Sequence, residues 1–129
     1  RIAAVEDGGL EAIADGTLAS WLTEDWRAAN PDETQAIRDM VTGNDPAGYI
    51  ACCQALKNLD YLKDLPALSV PSLYVVGEHD KGAAPEVMEE MARATPGAGF
   101  AVIPNAAHVA NINAPEAFND AIAGFLGLD

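Results

Sequence analysis

The chain has 129 residues, half of them hydrophobic and 21% charged, the balance of one ordinary globular domain with a real core. Twenty acids against seven Lys and Arg give a formal net charge of −13, a field that opposes binding to nucleic acid or to an anionic membrane surface. No apolar run approaches the roughly 20 residues of a membrane span. Arg1 is not a translation start, so the N-terminus is expected to be processed or truncated, and the lack of a visible leader says nothing about a parent protein. Cys52 and Cys53 are adjacent, a spacing that suits neither a disulfide framework nor a zinc site, and a reducing, cytoplasmic compartment is expected.

Residues 1–65 read as helical. "LEAIADGTLASWL" puts Leu10, Ile13, Leu18, Trp21 and Leu22 roughly on one side, with Gly8, Gly9 and Gly16 weakening or breaking the helix. "NPDETQAIRDMVTG" offers Asn30 as N-cap, Pro31 at the first helical position and Gly43 as the stop. "DPAGYIACCQALKN" repeats the signature with Asp45 and Pro46. Its Tyr49, Cys52, Cys53 and Leu56 fall at i, i+3, i+4 and i+7, so both thiols are expected to face the core and be inert.

Residues 66–129 follow a different pattern. "VPSLYVVG" is a short apolar run, as expected of a strand buried on both faces. "PEVMEEMARAT" reads as a helix with Val87, Met88 and Met91 inward, "GFAVI" as a second strand, and "APEAFNDAIAGFLGL" as a closing helix with Phe118, Ile122, Phe125 and Leu126 on one stripe. Strand, helix, strand, helix implies a parallel pair joined by a right-handed crossover, hence the α/β class. A two-stranded parallel sheet is a poor free-standing fold, so this half is expected to be the edge of a larger sheet.

The chemistry sits at the carboxyl ends of the two strands. Asp80 follows the first and His108 the second, about one βαβ unit apart. Parallel neighbours lie about 4.8 Å apart, so both loops are expected on one rim. An acid there would hold the imidazole in one tautomer and stabilise the imidazolium after it takes a proton. Glu78 and His79 are the local competitors; Asp80 is preferred as the acid, and His79 reads as a surface residue. Each residue alone has a plainer explanation as a turn or cap residue. Together, acid then histidine, they match the last two members of the order Ser, Asp or Glu, His. Ser20, Ser69 and Ser72 are the only serines, and none lies in G-x-S-x-G or between a strand and a helix. No metal cluster, phosphate loop or nucleotide fingerprint is visible, and no cofactor is expected.

Four blocks, "RIAAVEDGGLEAIADGTLASWLT", "DPAGYIACCQALKNLDYLKDL", "VPSLYVVGEHDKGAAPEVMEEMA" and "NAAHVANINAPEAFNDAIAGFL", resemble the C-terminal half of an α/β-hydrolase of the 3-oxoadipate enol-lactonase group. The resemblance implies a helical cap in residues 1–65 and the C-terminal part of the hydrolase core in residues 66–129. It implies Asp80 as triad acid, His108 as triad base, and Trp21 as a residue facing the substrate. The nucleophilic serine would lie in an N-terminal half of the same protein, outside this chain. The implied reaction is hydrolysis of a small enol-lactone to 3-oxoadipate in the degradation of aromatic acids. Ser20 stands where many relatives carry an arginine, so no residue is assigned to the substrate carboxylate. The alternatives are an esterase or perhydrolase with the same triad, or a non-catalytic interaction module. The 129 residues alone are expected to be inactive, because the nucleophile is missing.

Overall fold

The computed structural model describes residues 1–128. They form two compact units: residues 1–19 with 24–60, and residues 20–23 with residues 61 onward. Among the described residues no helix is long and apolar enough to cross a membrane.

The first unit is helical. Helix α1 (Ile2–Gly8) ends at Gly9, whose φ of 67° reverses the chain into α2 (Glu11–Trp21). Gly16 does not interrupt α2. Val5, Leu10 and Ile13 form the buried cluster, with Tyr49 and Ile50 packed against it. Arg1 donates to the Thr17 hydroxyl and lies 5.9 Å from the centre of the Tyr49 ring. A short helix that the sequence pattern did not suggest, α3 (Glu24–Ala29), precedes α4 (Pro31–Thr42). It changes the role of Asn30. The side chain does not cap α4 but donates backward to the Trp26 carbonyl at the end of α3. Asp45 does cap α5 (Pro46–Leu56), accepting from the amides of Gly48 at 2.8 Å and Ala47 at 3.3 Å.

The expected burial of the α5 stripe is not observed. Cys52 is exposed, Cys53 is half-buried and Leu56 is 63% exposed. Helix α1 packs on α5, and Tyr49 and Ile50 lie against the cluster of Val5, Leu10 and Ile13. Cys53 and Leu56 instead border an open groove with Arg1, Ile2, Ala3 and Lys57.

The second unit holds a 3₁₀ turn (Leu62–Ala67), β1 (Leu73–Gly77), α6 (Pro85–Ala94), β2 (Gly99–Ile103), α7 (Ala110–Asn113) and α8 (Pro115–Leu126). The strands pair in parallel, from Leu73 opposite Gly99 to Gly77 opposite Ile103. Side chains alternate across a strand, and the two faces are separately covered. Val75 and Ile103 join Ala106 and Ala110, against which Ala117, Phe118 and Ala121 of α8 pack. On the other face, the Tyr74 hydroxyl bonds the Thr95 hydroxyl at the end of α6, at 2.7 Å. Helices on opposite faces of a parallel pair form the α/β layering that the sequence implies.

Burial is less complete than the sequence suggests. Val102 is 42% exposed, and Val87, Phe125 and Leu126 also face solvent. Two strands offer α8 enough surface for its early turns only. The buried part of the sheet is its carboxyl end, at Val76, Gly77 and Ile103.

Gly77 is glycine for a specific steric reason. A Cβ there would lie 2.1 Å from the Ala107 carbonyl oxygen and 2.5 Å from that of Ala106. Both obstacles are backbone, which cannot rotate away. Gly77→Ala is expected to lower the unfolding free energy by about 3 kcal/mol, the upper end of overpacking penalties, in urea titration of the variant beside the parent chain.

Candidate active site

The two loops beyond the sheet are joined by a continuation of its hydrogen bonding. The Glu78 amide donates to the Ile103 carbonyl at 2.9 Å, and the His79 amide to the Ala106 carbonyl at 2.8 Å. The Glu78 carboxylate accepts from the Asn105 amide at 2.9 Å. Asn105 sits at φ 55°, a left-handed conformation that Asn adopts more readily than most residues. The loops that carry Asp80 and His108 are therefore fixed to each other before either side chain is considered.

Asp80 and His108 meet. Asp80 Oδ2 and His108 Nδ1 are 2.8 Å apart. The other carboxylate oxygen, Oδ1, accepts from the amides of Gly82 at 2.8 Å and Ala83 at 3.0 Å. This is an Asx turn of the segment "DKGA" and needs only local sequence to form. The Asp80 side chain is almost fully buried, whereas that of His108 is 46% exposed. Burial pushes the Asp80 carboxyl up, but the hydrogen bonds from the Ala83 amide, His108 and the Gly82 amide outweigh it and hold the group below the usual aspartate range. The result is a permanently ionised acceptor at neutral pH, facing a ring nitrogen. Such a partner favours the Nδ1–H tautomer and leaves Nε2 free to take a proton.

The other residues considered from sequence fall elsewhere. Glu78 is engaged with Asn105 and does not reach His108 through any hydrogen bond among the described residues. His79 is exposed, 3.9 Å from Glu78. Trp21 ends α2 and is half-buried, and its carbonyl accepts from the amide of Val109, the residue after His108, at 3.0 Å. Leu22, beside it, is almost completely buried. Ser72 donates to the Val70 carbonyl at the amino end of β1, the far end of the strand from Asp80. Sequence reasoning missed the Gly82 and Ala83 amides, although an aspartate two residues before a glycine is a readable Asx-turn signal. It also missed Asn113, whose Oδ1 accepts from the Ala107 amide at 2.8 Å. Among the described residues no group of His, Cys, Asp and Glu is arranged to hold a metal ion.

Two expectations follow for Asp80. In Asp80→Asn the oxygen must stay on the Gly82 and Ala83 amides, so the amide nitrogen faces His108 Nδ1 as a donor. The imidazole is then expected to switch to the Nε2–H tautomer, read by long-range proton–nitrogen correlation of the ring. The second concerns pH. A carboxyl whose pKa is lowered on folding contributes stability that is fully present above the unfolded value, about 3.9, and is lost as pH falls through the lower folded value. The stability difference between the parent chain and Asp80→Asn is expected to be flat above about pH 5 and to shrink below about pH 4, in denaturant titrations across that range.

Comparison with known proteins sets these residues in context. The family described as the alpha/beta hydrolase fold matches residues 17–115. The chain is 29% identical to 3-oxoadipate enol-lactonase 1 of Acinetobacter baylyi, over 98% of this chain and 47% of that protein. Among solved structures, the enol-lactonase from Burkholderia xenovorans LB400 is similar with a TM-score of 0.93 and 32% identity, over 98% of this chain and 48% of that one. A thermophilic esterase from Thermogutta terrifontis, in a malate-bound structure, is similar with a TM-score of 0.87 and 33% identity, over 98% of this chain and 47% of that one. The chain thus spans about half the length of the curated relatives it matches. With parallel strands covered by helices on both faces and a family match across most of its length, the chain belongs to the α/β-hydrolase fold family.

Proposed function

We propose that this chain supplies the acid and the base of a Ser–His–Asp triad that hydrolyses a small enol-lactone, 3-oxoadipate enol-lactone to 3-oxoadipate, with the serine on an N-terminal half of the same protein. The observation that carries the reading is the 2.8 Å contact of His108 Nδ1 with a buried, ionised Asp80. Similarity to the enol-lactonases of Acinetobacter baylyi and Burkholderia xenovorans supports the substrate class. Residues 1–65 would act as the cap over the site and residues 66–129 as the C-terminal part of the core. Trp21 would contact substrate, a role supported by the tie between its carbonyl and the amide next to His108. The exposed thiol of Cys52 fits a reducing, cytoplasmic setting.

In this mechanism His108 Nε2 removes the proton of the serine hydroxyl as the oxygen attacks the lactone carbonyl. Asp80 stabilises the imidazolium so formed. Collapse of the tetrahedral intermediate breaks the ring C–O bond, and the imidazolium returns its proton to the departing enol oxygen. A water then attacks the acyl-enzyme, losing its proton to His108, which passes it to the serine oxygen on release. The enol tautomerises to the ketone. The chemistry calls for no cofactor. The amides that would stabilise the oxyanion belong to the serine elbow and an earlier loop in this family pattern.

An esterase acting through the same triad is the second reading, favoured by the similarity to the Thermogutta terrifontis esterase. A full-length protein assayed on the enol-lactone and on a neutral ester of similar size separates the two. The lactone is expected to give the higher kcat/KM, and preference for the ester would replace the first reading with the second. His108→Ala is expected to lower kcat by about 10⁴-fold or more on either substrate. Unchanged turnover in that variant would remove His108 as the base and with it both triad readings, whereas a full-length parent that turns over neither substrate would favour an interaction module without catalysis.

A further inference from the structure

The segment after His108 is folded back on itself by one side chain. Helix α7 is a single turn, and its last residue, Asn113, reaches back to the loop before His108. There its Oδ1 accepts from the amide of Ala107 at 2.8 Å. Ala107 is 3% exposed, so this amide has little access to water and needs an acceptor from the protein. The orientation of the Asn113 amide is therefore decided. Turning it over would set an NH₂ group against an N–H. The orientation that serves Ala107 leaves Asn113 Nδ2 buried without a partner among the described residues. One donor is stranded so that an acceptor can be supplied.

The Ala106–Ala107 segment is also held from the other side. Its carbonyls lie against Gly77, and the Ala106 carbonyl accepts from the His79 amide. The backbone entering His108 is thus fixed between β1 and Asn113. We propose that Asn113 is a positioning residue for His108: by holding the Ala107 amide it keeps the imidazole on Asp80. The inference rests on the reading of Asp80 and His108 as a triad acid and base. Asn113 acts through the backbone.

The test uses the full-length protein with its serine. Asn113→Ala removes the acceptor; Asn113→Asp keeps an acceptor and removes the stranded donor. The readouts are the tautomer of the His108 ring by proton–nitrogen correlation, and kcat and KM separately. Asn113→Ala is expected to lose the single Nδ1–H tautomer and to lower kcat ten- to a hundred-fold, the size of effect expected from slight misplacement of a reacting group, with KM changed less than about two-fold. Asn113→Asp is expected to keep the tautomer. A folded Asn113→Ala that melts earlier but keeps both the tautomer and kcat would show a structural role alone and overturn the proposal. If Asn113→Ala does not fold, Asn113→Gln, which displaces the oxygen by one methylene, takes its place with the same expected losses, and a parental tautomer and kcat there would overturn it equally. Parent protein that holds the Asn113-dependent tautomer yet hydrolyses neither lactone nor ester would leave the positioning role standing and remove the hydrolase reading.

Discussion

The parallel pairing of two five-residue strands is the constraint on which the rest of the second unit depends. Parallel register brings like ends together, so the segments leaving β1 and β2 emerge side by side at Gly77 and Ile103. The ladder then runs two amides further, through Glu78 and His79, before the loops part. Gly77 permits this because it has no Cβ to strike the Ala106 and Ala107 carbonyls. An aspartate and a histidine distant in sequence thereby become neighbours, and little freedom remains for either loop. Antiparallel strands would have sent these loops to opposite ends of the sheet.

The electrostatics of the site follow from where each polar group can find a partner. A buried carboxylate is costly unless its lone pairs are occupied. Asp80 meets that condition with two backbone amides on one oxygen and an imidazole on the other. The amides are dipoles from the same loop, fixed by the Asx turn whatever the state of His108. The carboxylate therefore remains ionised without needing a permanent cation beside it. In the proposed mechanism this would set a buried, constant acid beside an exposed base, a division that suits proton transfer.

How much of this was legible in the sequence depended on the range of the interaction. The helix starts at Pro31, Pro46 and Pro85, the Asp45 cap and the strand ends were readable because short stretches decide them. The nearness of Asp80 and His108 was readable because parallel topology leaves few alternatives. Asn30 does stand at the N-cap of α4, but the use of its side chain was not readable, because its partner belongs to α3, a helix too short to show periodicity. The α5 stripe was misassigned for a related reason. Apolar spacing says which face is available for burial but not what covers it, and Cys53 and Leu56 border an open groove beside Arg1, Ile2 and Ala3. Asn113 was invisible because nothing in "VANINAP" distinguishes a solvated asparagine from one turned back onto the Ala107 amide.

One feature of the pair has a chemical consequence of its own. The His108 ring is 46% exposed, and its Nδ1 edge lies against a carboxylate that is only 4% exposed. Asp80 thus shields the Nδ1 edge, and an Nδ1–H held on it would leave the lone pair on Nε2. In that tautomer an electrophile arriving from solvent, such as an alkyl halide or an acylating anhydride, would be directed to the lone pair on Nε2. Attack at Nδ1 would require both displacement of Asp80 and loss of its hydrogen bond. Imidazole in free solution reacts at either nitrogen and gives mixed products. This imidazole would then be regioselective before any substrate arrives, and a covalent adduct on it would record the direction from which the site is approached.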